Sequence, residues 1–254
     1  MKKHLFLLII SMVAFAACSK DDGEKSGPSV KKVVDFSDLE YDSQGRLIKS
    51  RTYPEIVYGT NEIRVKVKND MDTYCYTFHL NADGLVDSYK ANYNDFDTGR
   101  ELIPETSLKY DDTDHLIAAG SDTYTWSDGN IVKVHISTNT PRDIVFKYSQ
   151  EEYVGEVAEY IGNPTFRYDL LDWCSFLADY GYFGKRCKNL CIQRDDFLAD
   201  TETPSAAATQ YKWEYTFDES GYVTKVSRRY MHYSNGYQGD PKTTTIKYKE
   251  VPVL

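Results

Sequence analysis

The sequence lacks the short motifs on which most catalytic and metal-site assignments rest. It has no Cys-x-x-Cys pair, no His-Glu-x-x-His or His-x-His element and no Gly-x-Ser-x-Gly turn, so neither a zinc site nor a serine nucleophile is indicated. Beyond residue 17 its histidines are scattered far apart: His79, His115, His135 and His232. We therefore expect no catalytic residue, no metal and no cofactor, and predict that the protein is not an enzyme.

Positive charge and long apolar runs are also scarce. The 254 residues include 30 Lys and Arg against 39 Asp and Glu, a net charge of −9. This balance argues against a nucleic-acid partner, because little would neutralise the phosphate charge. After the first residues, no apolar run is long enough to span a bilayer. With 41% hydrophobic and 14% aromatic residues, including 22 Tyr, the chain is too apolar to be disordered throughout.

The N-terminus is typical of a secretory signal. Lys2 and Lys3 precede an apolar stretch, residues 5–17, that is too short to cross a bilayer and ends in small residues. Residues 15–18, Phe-Ala-Ala-Cys, resemble a lipobox with Phe where Leu is usual. We predict a signal peptide over residues 1–17 and lipidation of Cys18. The alternative is ordinary cleavage near residue 17, which would leave Cys18 as a thiol.

The residues after Cys18 form a polar, acidic stretch. Residues 18–24, Cys-Ser-Lys-Asp-Asp-Gly-Glu, resemble the surface-export signal of Bacteroidetes lipoproteins. We predict that residues 18–30 are a lipidated, flexible tether whose acyl chains insert into outer-membrane lipid. The resemblance implies an outer-membrane lipoprotein exposed at the cell surface. A plain tether on a protein that faces the periplasm is the alternative.

One local pattern recurs along the rest of the chain. An aromatic residue or Leu is followed by a short polar stretch carrying Asp, Asn or Ser, then by Gly or an acid, and then by a residue pair with a branched aliphatic. Gly suits a positive φ and Asp or Asn can bond the turn backbone, so each copy predicts a β-hairpin. The copies are residues 41–49, 80–86, 110–116 and 217–225, a shorter one at 126–131 and a degenerate one at 148–154.

The stretches between these turns alternate between apolar and polar residues, as in residues 63–68 and 243–248. Such alternation is typical of strands with one buried face and one wet face. We therefore predict a mainly β fold in which consecutive antiparallel hairpins form a large twisted sheet or an incomplete barrel. Residues 31–254 are expected to form a single domain.

One segment interrupts the strand pattern. Asn163 can cap a helix, Pro164 suits its first turn, and Gly181 can end it. Leu170, Cys174 and Leu177 would then fall near one face. We predict an amphipathic helix over about 165–180, within a helical insert over about 163–190. Residues 201–209 and 233–241 are predicted to be loops.

Cysteines and acidic clusters near the turns allow other sites. Because the predicted compartment is oxidising, Cys174 could form a disulfide with Cys187 or Cys191; the alternative is that these cysteines are reduced, buried thiols. Residues 95–99, Asp-Phe-Asp-Thr-Gly, are similar to part of a calcium loop, but the closing Glu is missing. We expect a polar turn there instead.

Exposed aromatic residues are the most suggestive candidates for ligand binding, because aromatic rings stack on sugars. The alternative is that these rings fill and rim a thin β core. The candidate ligand patch consists of Tyr180, Tyr182, Tyr233, Tyr237 and Trp126.

Two resemblances accompany these patterns. Residues 41–47, Tyr-Asp-Ser-Gln-Gly-Arg-Leu, resemble the YD repeats of Rhs-type proteins. The lipobox, acidic tether, hairpins and insert, with Phe-Gly-Lys-Arg-Cys-Lys-Asn-Leu at 183–190, resemble a Bacteroidetes lipoprotein family of unknown function over about residues 18–250. This resemblance implies a location and a fold, but no activity.

The expected function is that of a lipid-anchored envelope protein that binds a glycan or a protein without catalysis. One alternative is a glycan-active hydrolase whose carboxylates converge in the fold. Another is a periplasmic or outer-membrane carrier of lipid or lipoprotein.

Overall fold

The computed structural model describes residues 29–35, 38–155, 174–199, 209–232, 236–237 and 239–253. These residues form strands almost throughout, with one short helix, α1 (Phe176–Asp179). In this part of the chain, no helix is both long and apolar enough to cross a membrane. The strands are β1 (Ser29–Val34), β2 (Glu40–Tyr41), β3 (Leu47–Lys49), β4 (Glu55–Tyr58), β5 (Glu62–Lys68), β6 (Thr73–Leu80), β7 (Val86–Tyr93), β8 (Glu101–Tyr110), β9 (Leu116–Ala119), β10 (Asp122–Ser127), β11 (Asn130–Ile136), β12 (Arg142–Glu152), β13 (Asn189–Leu198), β14 (Thr209–Phe217), β15 (Val223–His232), β16 (Gly236–Tyr237), β17 (Lys242–Thr245) and β18 (Tyr248–Val253).

The sheet is a meander, as predicted from the consecutive hairpins. Strands β4 to β16 pair in sequence order, and β17 adds to β15, giving a 14-stranded antiparallel sheet. Strands β1 and β18 form a separate pair, and so do β2 and β3. Among the described strands, β4 and β16 end the path without pairing with each other, so the sheet is not closed into a barrel.

Side-chain alternation places the core on one face of this sheet. In β5, Ile63, Val65 and Val67 are completely buried, whereas Arg64 and Lys66 between them are half-exposed. Successive strand residues point to opposite faces, so this spacing buries one face and leaves the other wet. The predicted mainly β fold is therefore confirmed.

The recurring turns share one hydrogen-bond geometry. At the first turn, the Asp42 N–H donates to the Arg46 carbonyl at 2.9 Å, and the Gly45 N–H donates to the Asp42 carbonyl. The Asp42 carboxylate then accepts from the N–H groups of Gln44 and Arg46, both at 2.9 Å. The side chain thus satisfies backbone donors that a turn would otherwise leave to water.

Asn81, Asp111 and Asp218 make the same four bonds in their own turns. The third residue after each has a positive φ, as at Gly45 (68°), and in the third turn Asp114 adopts this conformation instead of glycine (64°). The four clearest predicted hairpins are therefore confirmed as one repeated structural unit.

The two remaining predicted hairpins have different outcomes. At residues 126–131, Asp128 (φ 51°) and Gly129 (φ 77°) form a two-residue turn between Ser127 and Asn130, as the shorter motif predicted. The prediction of a degenerate hairpin at 148–154 is wrong. Strand β12 instead continues to Glu152, and its pairing with β13 shifts register there. This bulge accommodates the polar residues without reversing the chain.

Tyrosine hydroxyls and one indole N–H donate hydrogen bonds to backbone carbonyls just after these turns. The Tyr110 hydroxyl donates to the Val86 carbonyl at 2.7 Å, and the Trp126 indole N–H donates to the Leu116 carbonyl at 2.8 Å. Tyr58, Tyr148 and Tyr248 bond the carbonyls of Leu47, Ile131 and Val223 in the same way. Much of the tyrosine content therefore serves the fold, where a half-buried ring carries a polar tip.

This arrangement predicts the cost of removing one hydroxyl. Tyr110→Phe should lower the free energy of unfolding by about 1–3 kcal/mol, because it leaves the carbonyl of the buried Val86 without this donor. Urea denaturation measures the change. Tyr230→Phe is the control, since that hydroxyl bonds nothing in the described part of the chain, and it should change stability by less than about 0.5 kcal/mol. Equal losses in the two variants would contradict the role assigned to these hydroxyls.

The insert is less helical than predicted where it is described. Residues 163–173 lie outside the described residues, and the predicted helix over 165–180 is seen only as α1. Its end is confirmed: Gly181 has a φ of 80° and donates to the Ala178 carbonyl, and Tyr182 donates to Leu177. A second turn follows, in which the Gly184 N–H donates to the Gly181 carbonyl, and the segment then reaches β13 with Phe183 and Cys187 buried.

Candidate functional site

The connections between strands lie at the two ends of the strands, and these two ends differ in character. We call each end an edge of the sheet. The connections β4–β5, β6–β7, β8–β9, β10–β11 and β14–β15 lie at one edge, which we call the turn edge because it carries the repeated Asp or Asn turns. The β12–β13 connection, which contains the insert, also lies there. The connections at the opposite edge, which we call the loop edge, include residues 69–72, between β5 and β6, and residues 94–100, between β7 and β8.

The insert binds the turn edge through backbone hydrogen bonds to successive turns. The Val86 N–H donates to the Tyr182 carbonyl at 2.8 Å. The Lys185 N–H donates to the carbonyl of Asp114, and the Lys188 N–H donates to that of Gly129, both at 2.9 Å. Three turns are thus tied to one segment of seven residues, residues 182–188.

The base of the insert is fixed by a buried carboxylate. Only 2% of the Asp179 side chain is exposed; it accepts from the Tyr153 hydroxyl at 2.6 Å and lies 3.7 Å from the Arg186 guanidinium. Arg186 also donates to the carbonyls of Tyr153 and Gly155. Arg186, the last residue of the Phe-Gly-Lys-Arg motif, therefore has a structural role: it binds the insert to the residues that follow β12.

Tyr180 and Tyr182, two members of the predicted ligand patch, contact the first turn. The Leu47 N–H donates to the Tyr180 hydroxyl at 2.8 Å, and the Arg46 guanidinium donates to the Tyr182 hydroxyl at 2.9 Å. Both rings pack on Tyr58, with centroids 6.5 Å and 5.9 Å away. The structure brings these two tyrosines together at the turn edge and engages both hydroxyls within the protein.

The other members of that patch lie elsewhere. Trp126 is half-buried on β10, where its N–H is bonded to Leu116 and its ring lies 4.3 Å from the ring of His115. Tyr233 lies outside the described residues, and only the backbone of Tyr237, in β16, is described. Among the described members, the structure therefore joins Tyr180 with Tyr182 but not with Trp126.

The four cysteines that the structure describes, Cys75, Cys174, Cys187 and Cys191, are buried thiols. Burial raises the pKa of Cys187 to about 11 and that of Cys191 to about 12. These thiols are protonated at neutral pH and act as small apolar side chains.

Two lysines hold the first described strand against the turn edge. Lys32 forms an ion pair with Asp218 at 2.8 Å and lies 3.9 Å from the centroid of the Tyr222 ring. On the other side of β1, Lys31 lies 5.0 Å from the centroid of the Tyr180 ring. The last two residues of the predicted tether, Ser29 and Val30, are the first two residues of this strand.

The turn carboxylates should make the protein sensitive to acid. Burial opposes ionisation of Asp42, but bonds from Arg46 lower its pKa below the ordinary 3.8. The His115 N–H lowers the pKa of Asp111, and the Lys32 ammonium lowers that of Asp218. A folded-state pKa below the unfolded value stabilises the fold above about pH 4, and this contribution is lost as the pH falls further.

A triple variant tests this origin of acid sensitivity. It carries Asp42→Asn, Asp111→Asn and Asp218→Asn together. Asparagine keeps the acceptor oxygen, as Asn81 does in the second turn, but does not titrate. The melting temperature of the wild type should fall more between pH 5 and pH 2 than that of the triple variant. Equal falls would show that other groups govern the acid response.

At the loop edge, two polar clefts flank the turn at residues 69–72. The Asn69 side chain holds this turn by accepting from the N–H groups of Met71 and Asp72 at 2.9 and 2.6 Å. Met71 is 88% exposed at the tip, an unusual position for a large apolar side chain. One cleft, of about 620 Å³, is lined by Asp72, Tyr93, Asn94, Asp95, Thr98, Gly99 and Arg100. The other, of about 700 Å³, is lined by Arg51, Thr52, Lys68, Asn69 and Asp70.

The first cleft combines aromatic rings with charges of both signs. The Tyr93 ring packs on Tyr74 at 5.6 Å between centroids, and the Arg100 guanidinium lies 4.6 Å from the Tyr93 centroid. Asp72 and Arg100 are exposed, and neither forms an ion pair within the described part of the chain. The cleft thus offers a ligand an aromatic ring beside one exposed donor and one exposed acceptor.

Asp95, although it lines the same cleft, is used by its own loop. Its carboxylate accepts from the Thr98 N–H at 2.8 Å, the Asp97 N–H at 3.0 Å and the Thr98 hydroxyl at 2.9 Å, and these bonds lower its pKa. Residues 95–99 therefore form the expected polar turn. No group of three or more residues suited to hold a metal occurs within the described ranges.

Known structures share this fold. The chain is similar to a porin-like protein from Bacteroides vulgatus, with 16% identity, coverage of 88% of this chain and 99% of that one, and a TM-score of 0.58. It is also similar to a porin-like protein from Bacteroides uniformis, with 15% identity, coverage of 87% and 96%, and a TM-score of 0.54. No known family model matches the sequence, and no curated protein sequence is similar to it. At these identities the likeness shows the fold alone, in organisms consistent with the Bacteroidetes resemblance.

Proposed function

We propose that the protein is a lipid-anchored cell-envelope protein that binds a glycan at its loop edge and does not catalyse a reaction. The observation that carries the proposal is the first cleft, where Tyr93 lies beside Arg100 and the exposed Asp72. The carboxylate of Asp95 is engaged by backbone donors, which supports a binding role for this cleft over a hydrolytic pair of carboxylates.

The position of the tether supports this assignment. Because β1 is held at the turn edge, the tether leaves from the edge that also carries the insert. The loop edge then faces away from the membrane, where a ligand outside the cell could reach it. The outer-membrane location is supported by the sequence of residues 1–24 and by the porin-like neighbours.

A glycan-array screen of the purified full chain tests the binding proposal. At least one class of glycan should bind, and Arg100→Gln should weaken that binding by about tenfold or more, as expected for the loss of a charged hydrogen bond. The control is Asp112→Asn, an exposed residue at the turn edge, which should bind as the wild type does. Silence across the array, or equal binding by all three proteins, would refute the proposal.

Anchoring is tested separately by Cys18→Ala. This variant should lose its association with the outer-membrane fraction, because it cannot be acylated. A variant that still fractionates with the outer membrane would show that the anchor is assigned wrongly.

A further inference from the structure

A second surface at the far end of the sheet combines positive charge with aromatic rings. Cross-strand register places Tyr211 opposite Tyr230, and Trp213 opposite Arg228, across β14 and β15. Arg228 is in turn opposite Lys242 of β17. Residues directly opposite each other lie on the same face of the sheet. Trp213 is buried there, whereas Tyr211 and Tyr230 are half-buried and Arg228 and Lys242 are exposed; we call these four side chains the cationic face.

Two guanidinium groups flank the Tyr211 ring, and they differ in what neutralises them. Arg194 lies 5.7 Å from the ring centroid and forms a two-bond ion pair with Asp196, whose side chain is 2% exposed. Arg228 lies 5.9 Å from the same centroid but is exposed. Neither Arg228 nor Lys242 has a carboxylate partner in the described part of the chain.

Placing two like charges directly opposite each other is unfavourable in a sheet. The chain has a net charge of −9, so a shortage of acidic residues does not explain why this pair has no carboxylate partner. The uncompensated pair beside two half-buried tyrosines therefore has the composition of an anion site: the cations bind the charge, and the accessible parts of the tyrosine rings offer an apolar surface.

We propose that the cationic face binds an acidic glycan, in which carboxylate or sulfate groups meet Arg228 and Lys242 and sugar faces pack on the aromatic rings. The rings favour a sugar polymer over a bare phosphate, since they add contact area that a simple anion cannot use. This site is separate from the loop-edge clefts and does not depend on them.

Binding of polygalacturonate, a polymer of uronic acids, to the purified full chain tests this proposal. The wild type should bind it, with an affinity that falls as the salt concentration rises, and should not bind neutral dextran. The double variant Arg228→Gln, Lys242→Gln should weaken binding by about tenfold or more. It should keep or raise the melting temperature, because it removes a repulsive pair.

The matched control is Lys225→Gln, Arg229→Gln, which removes two exposed cations from the opposite face of the same strand. It should bind polygalacturonate within about twofold of the wild type. Equal weakening by both double variants would mean that binding follows net charge, and would overturn the site. The proposal is also overturned if the wild type ignores polygalacturonate but binds vesicles of anionic lipid.

Discussion

Replacing Gly184 with alanine should destabilise the protein by roughly 3 kcal/mol or more, because the substitution combines a strained backbone with a collision. Gly184 has a φ of 75°, and a Cβ there would lie 2.1 Å from the Asp114 carbonyl oxygen. That carbonyl accepts the Lys185 N–H, so the third turn would be pushed away from the insert. Urea denaturation of the purified chain measures the loss.

Gly181→Ala is the matched control. Gly181 lies in the same segment with a φ of 80°, but nothing lies within 4 Å of an added Cβ. This variant should cost only the left-handed backbone conformation, about 1–2 kcal/mol. If the two variants lose equal stability, close packing of the insert on the third turn does not matter to the fold.

Phe183→Ala should cost about 3–5 kcal/mol. Its ring is 1% exposed and packs edge-on against Phe78 of β6, with centroids 5.8 Å apart. Removing it opens a cavity between the insert and the core face of the sheet. Denaturation measures the total loss, and hydrogen exchange at the Val86 N–H shows whether the insert detaches, because this group donates to Tyr182.

Tyr182→Phe is the comparison for Phe183→Ala. It keeps the ring against Tyr58 and removes only the bond from Arg46, so about 1 kcal/mol should be lost. If Phe183→Ala lowers the free energy of unfolding no more than Tyr182→Phe does, packing of the insert does not contribute to the cooperative unfolding of the core.

The turns could be predicted from the sequence because their causes are local. At Asp42 and Gly45, the side-chain acceptor and the positive φ lie within four residues of each other. The same reasoning failed at 148–154, where no residue of this kind forces the chain to reverse. Local patterns specify turns well when both the acceptor and the left-handed residue are present.

The role of the insert could not be predicted in the same way. Its contacts join Lys185 to Asp114 and Lys188 to Gly129 through backbone atoms, which carry no side-chain signal. Aromatic content was equally ambiguous, since a ring such as that of Trp126 gives no sign in sequence that its N–H bonds a carbonyl within the protein.

The loop-edge clefts were missed for a related reason. The residues of the first cleft come from two loops separated by β6 and β7, and only strand pairing brings Asp72 and Arg100 to one cleft. One signal was available: Met71 stands alone among polar residues in a short turn. An isolated large apolar side chain in such a turn is a reason to look for a binding edge.

Labelling of Met71→Cys on intact cells tests most directly whether the loop edge is the outward, ligand-accessible edge. Native Cys75, Cys174, Cys187 and Cys191 are buried, and the proposed lipidation blocks the Cys18 thiol, so a membrane-impermeant maleimide should react only with the new thiol. We expect labelling on intact cells at a rate close to that of the purified protein. Labelling that requires permeabilised cells would contradict this orientation.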